Sequence, residues 1–229
     1  MSAKAILSAS VSAPPAVYVE DVFSTFLYTG NGSTQTITNG IDLSGKGGMV
    51  WIKGRNQPEP HVLVDTVRGA PNALRPNSSA ASINDAGRVS AFTTSGFTTG
   101  ADGETNGSGT TYASWTFRKA PKFFDVVTYT GTGVARSIAH SLGSEPGCII
   151  VKSTSTATNW AVYHRSLTIP NSLVLNDTDA QFSDSDNFTN TAPNSTQFNI
   201  GITSRVNTSG QTYVAYLFAH DAGGFGLAG

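Results

Sequence analysis

An all-β fold is what this sequence predicts, built as two tandem β-sandwich, jelly-roll-like repeats behind an extended N-terminal arm. Three observations predict it. Charged residues make up only 13% of the 229, which starves helices of their best formers. Gly reaches 24 and sits among Ser, Thr and Asn clusters of the kind that reverse a chain between strands. The phrase YTGNGSTQTI at 28–37 returns as YTGTGVARSI at 129–138.

The chain opens with a segment, 1–23, that has no later counterpart. Pro14 and Pro15 favour an extended polyproline path, and with Val17, Tyr18, Val19 and Phe23 they form a candidate docking arm. Such arms attach by strand addition or groove packing. Ser8, Ser10 and Ser12 break the apolar stretch and Pro14 follows the cleavage-like Ala13, so the segment reads as an arm rather than a secretion signal.

The first repeat is expected over 24–120 and the second over 121–221. Setting Tyr28 on Tyr129 brings Gly30-x-Gly32 onto Gly131-x-Gly133 and Ile37 onto Ile138. After a two-residue gap, GGMVWIK ending at Lys53 meets PGCIIVK ending at Lys152, and ALRPN ending at Asn77 meets SLVLN ending at Asn176. GFTTG ending at Gly100 then meets QFNIG ending at Gly201, and NGSGTTYASWTF at 106–117 meets NTSGQTYVAYLF at 207–218. Each block reads as a short strand bounded by turn residues, and no segment of twelve carries a clean helical period. Residues 222–229 are a Gly-rich tail or the start of a further repeat, since Phe225 falls where Phe124 opens the second unit.

Composition excludes several functions. A net charge of −1 supplies no field for nucleic acid. No apolar run nears the roughly 18 residues of a membrane-inserting helix. The single Cys148 excludes an internal disulfide or a cysteine zinc site. The Gly pairs lack the third Gly and following helix of a dinucleotide loop, so they read as turns and no cofactor is expected. His61, His140, His164 and His220 do not recur at matched positions and no Gly-x-Ser-x-Gly elbow occurs, so no catalytic residue is assigned and the chain is not expected to be an enzyme. Asp177, Asp179, Asp184 and Asp186 cluster without the spacing of a calcium loop, so no metal site is assigned. Trp51 lies in an apolar strand and reads as core. Trp160 follows the polar loop STSTATN and, with Tyr163, is a candidate contact aromatic at the surface or between subunits. Arg68 and Arg165 read as structural, the first pairing with Asp65.

The phrases VEDVFSTFLYTGNGSTQTITNGIDLSGKGGMVWIKGR, DTVRGA, NWAVYHRSL and TYVAYLFAHD resemble repeat units of tail-fibre and related virion structural proteins of tailed bacteriophages, marine and cyanobacterial ones especially. The resemblance covers nearly the whole chain. It implies a homotrimeric fibre made in the host cytoplasm and carried on the virion. Its N-terminal arm would dock on other tail or head proteins, and its distal parts would meet a host-surface glycan. The alternatives are a capsid-decorating or head-fibre protein and a lectin-like glycan-binding module.

Overall fold

A computed structural model describes residues 17–220. Its regular structure is almost entirely antiparallel β, as the composition predicts. In the N-terminal half a single helical turn, α1 (Val19–Val22), leads into β1 (Phe23–Thr29), β2 (Gln35–Thr38), β3 (Gly48–Gly54) and β4 (Val62–Asp65). There follow β5 (Asn72–Ala73), β6 (Ile83–Asn84), β7 (Val89–Thr93), β8 (Gly96–Thr99), the short α2 (Gly103–Asn106) and β9 (Thr111–Arg118). One sheet has the order β1-β9-β3-β4 and another β2-β8-β7. Their inner faces meet in one apolar core that includes Ile37, Val50, Ile52, Val64, Phe97 and Tyr112.

The C-terminal half contains β10 (Phe124–Thr130), β11 (Arg136–Ala139), β12 (Pro146–Ser153), β13 (Ala161–His164) and β14 (Asn171–Val174). It ends with β15 (Phe182–Ser183), β16 (Gln197–Ile200) and β17 (Thr212–Ala219). Its large sheet runs β10-β17-β12-β13-β14-β15 and its small one pairs β11 with β16. A second core, with Ile149, Val151, Phe198, Tyr213 and Leu217, lies between them.

The repeated phrase is explained by a knot present in both halves. Tyr28 faces Tyr112 across β1 and β9, and Tyr129 faces Tyr213 across β10 and β17, with rings stacked at 5.1 and 5.3 Å. The Tyr28 hydroxyl donates to Thr105 O at 2.7 Å and the Tyr129 hydroxyl to Val206 O at 2.8 Å. Asn207, fully buried, donates to Val134 O and Gly201 O and accepts from Thr132 N–H, all within 2.9 Å. Asn106 does the same for Ser33 O, Gly100 O and Asn31 N–H. The backbone of each crossing turn lies directly against Gly30 or Gly131, where a Cβ would overlap the carbonyl oxygen of Gly107 or Thr208. The ALRPN and SLVLN blocks match for a related reason: Asn77 accepts from His61 N–H at 3.1 Å and Asn176 from Trp160 N–H at 2.9 Å.

The halves differ where the sequence inserts a proline. β7 and β8 form a tight hairpin in the first half. The corresponding stretch 188–196 contains Pro193, which has no N–H to give a ladder, and only an isolated bridge, Phe188 to Ile200, remains.

Pro14 and Pro15 of the expected arm lie outside the described residues, as does Phe225. Phe23 is not part of an arm: it is the first residue of β1, paired with Phe117, because its ring packs on Phe117 at 4.8 Å. Tyr18 and Val19 are exposed around α1, where the Asp21 carboxylate accepts from Tyr18 N–H at 2.8 Å, and Val17 is half-buried.

Candidate functional site: the seam between the halves

The alternation of β3 sends Val50 and Ile52 into the first core and Met49 and Trp51 to the opposite face. β10 and β17 likewise turn Phe124, Val126, Val214 and Tyr216 outward. These outward faces close on each other and form a third apolar cluster, with Leu63, Leu74 and Trp160. Around the linker Phe117 touches Phe123, Phe124 and Phe218, with ring centroids 5.3–6.2 Å apart. Lys119, just after β9, bridges to Asp125 Oδ1 at 2.8 Å.

A polar network threads this apolar contact. Asp65, fully buried, accepts from the Arg68 Nε–H at 2.6 Å and from the Tyr216 hydroxyl at 2.8 Å. Arg68 also donates to Ser82 Oγ at 3.1 Å and to the Tyr216 oxygen at 3.2 Å. Burial alone would lower the Arg68 pKa, but Tyr216 and Asp65 raise it, so the guanidinium stays charged. Burial pushes the Tyr216 phenol well up, which keeps it a donor. Nearby Lys152, with no exposed surface, gives its ammonium to the carbonyls of Ser153 at 2.7 Å and Thr156 at 3.4 Å. Burial, with Arg68 adding to it, brings its pKa down to about 8.

At its open end the seam widens into a cleft of about 520 Å³. Val67, Arg68, Asn72, Ser82 and Asn84 form one wall, and Thr128, Thr154, Ser155, Thr212 and Tyr213 the other. Beside the exposed Val67, the lining side chains are hydroxyl, phenol and amide groups around one ion-paired cation, a mix of apolar surface and hydrogen-bonding groups that a polyhydroxyl ligand could meet. The backbones also join there: Ser82 N–H donates to Thr154 O and Thr158 N–H to Ser79 O, both at 2.9 Å.

The two tryptophans exchange the places expected of them. Trp160 has no exposed surface; it stacks on Tyr216 and its indole N–H donates to Ser78 O at 3.0 Å, so it is an internal seam residue and not a surface aromatic. The loop before it stays partly exposed while the indole itself turns under the other half, which the flanking residues alone do not reveal. Tyr163 is also buried, packed on Phe188 in the second core. Trp51, expected in the core, is half-buried at the seam's margin, where its N–H donates to His61 Nδ1 at 2.9 Å.

The other candidates are engaged locally. His140 donates from Nε2 to Asn194 O and accepts Leu142 N–H at Nδ1, and burial lowers its pKa. Asp184 accepts from Asp186 N–H and faces Arg205 at 3.6 Å. Among the described residues no three His, Cys, Asp or Glu side chains come together as a metal site, and no helix is long and apolar enough to cross a membrane. Arg68 pairs with Asp65 as expected, whereas Arg165 is exposed. Sequence reasoning missed the buried Asn106 and Asn207, although both open the matched NGSG and NTSG turns.

One family model, described as Domain of unknown function (DUF7483), matches residues 19–229. The chain belongs to the DUF7483 family. The match spans both halves, so the seam lies inside the DUF7483 domain and not at its border. No curated protein and no solved structure matches it.

Proposed function

We propose that this DUF7483 chain is a passive building part of a bacteriophage virion: two tandem β-sandwich repeats near the N-terminal end of a tail fibre, assembled as a homotrimer. Residues before α1 dock it on other virion proteins, and the fibre's distal parts serve attachment to a host-surface glycan. The observation that carries this reading is the seam. An apolar cluster with a buried Asp65–Arg68–Tyr216 network locks two bulky β units against each other, which suits a part that sets shape and spacing. The phage context rests on the resemblance of the repeat phrases.

The test is gold-labelled antibody against the chain on intact phage particles. Label on the tail supports the reading; label on the capsid moves it to a head-fibre or decoration role; no label removes it. Deleting residues 1–16 is expected to abolish particle association while leaving the number of chains in the native assembly unchanged.

A second reading, a lectin-like module, is favoured by the hydroxyl- and amide-lined cleft. Thr128 is exposed on its wall, so Thr128→Tyr would fill the cleft without disturbing a core. Glycan-array binding that this change removes would establish that role.

A further inference from the structure

We propose that the outer face of the β1–β9 ribbon is the seat for a second copy of this chain, which lays its C-terminal half there, head to tail. Phe23, Thr25 and Leu27 on β1 and Trp115 on β9 share that face, since Thr25 is paired with Trp115 and Leu27 with Ala113. Leu27 is 57% exposed, Thr25 is exposed, and the two aromatic rings are half-buried.

The duplication says what belongs on this face. At the spacing of the repeat, Phe23, Thr25 and Trp115 correspond to Phe124, Val126 and Tyr216. Each of those is 1% exposed, because the β3–β4–β5 side of the N-terminal half lies over it. The same surface therefore exists twice in the chain, covered once and open once. The covering surface also exists twice. Its second version, on β12 and β13, carries half-exposed Cys148 paired with exposed His164. The seam joins two different surfaces, so it is a heterologous contact; it leaves open the β1–β9 face of one kind and, of the other kind, the Cys148–His164 end, since Ile150 and Trp160 beside it already pack into the seam. Laying that end on the β1–β9 face of the next chain uses both.

The match extends to polar groups. Tyr216 meets Asp65 in the seam, and their counterparts are Trp115 and His164. Trp115 would donate its indole N–H to His164 of the partner subunit, the pairing Trp51 and His61 already make at 2.9 Å within one chain. This names the surface behind the oligomer of the proposed function but stands on the internal duplication. Failure of particle labelling would leave it untouched.

The experiment uses the full chain in sedimentation velocity across a concentration series. Self-association is expected, and Thr25→Lys, which places a charge on an exposed position whose counterpart Val126 is covered in the seam, should weaken it at least tenfold with an unchanged melting curve. Two further chains, both Cys148→Ser, carry Thr25→Cys or His164→Cys. Mixed and treated with a short bismaleimide, they should cross-link to each other more than either does to itself. A monomer at every concentration, association indifferent to Thr25→Lys, or cross-linking only between like chains would each overturn the proposal.

Discussion

Lys152 shows how far one buried side chain shapes the energetics. Its ammonium has carbonyl acceptors and, among the described residues, no carboxylate, and Arg68 lies near. Its pKa falls from 10.5 to about 8 in the folded chain, so between those values the unfolded chain binds more protons. Stability from this group therefore rises with pH across that window, by on the order of 3 kcal/mol in all. Urea unfolding at pH 7 and pH 10 should show wild type gaining on Lys152→Met by most of that amount. The comparison is needed because burial lifts the Cys148 thiol to about 11, which removes stability from about pH 9 upward in both chains. Asn207 tests the other kind of buried polar group. Asn207→Ala strands Val134 O, Gly201 O and Thr132 N–H, and a loss of roughly 3 kcal/mol is expected in the same assay.

At the scale of elements, the Gly30 and Gly131 turns should be the least tolerant. Gly30→Ala drives a methyl into the Gly107 carbonyl, whereas Gly40, at φ +86°, has open space around it. Gly40→Ala should cost about 1 kcal/mol from backbone conformation alone, and Gly30→Ala more than about 3 kcal/mol because the crossing turn must also move. Thermal melts of the two variants compare them directly. The strands themselves were legible because alternation and turn clusters are local signals. The faces were not. GMVWIK is apolar on both sides since one side fills a core and the other fills the seam, and nothing local says which side Trp51 takes. Trp160 is hidden for the converse reason: its neighbours are polar and partly exposed, while its own ring is buried by residues about 80 positions earlier, around Ser78. Asn106 and Asn207 looked like ordinary turn residues because their partners lie up to 75 positions away.

For the whole molecule, the seam predicts that the halves unfold together. Calorimetry of the full chain should give one transition. Trp160→Ala removes a fully buried indole at a cost of about 3–5 kcal/mol, and should split the transition in two while each half keeps its own core.

The pairing of Phe23 with Phe117 and of Phe124 with Phe218 has a mechanical corollary. Each half is entered and left at the same corner, so a pull on the two chain ends loads each half at neighbouring points of its own antiparallel ladder. Its hydrogen bonds would then break in succession, like a zipper, and not all at once in shear. Tension along the backbone is thus the weak direction. Stiffness in any assembly made of this chain has to come from sideways packing of one β unit on the next, and optical-tweezer pulling on single chains should meet low resistance.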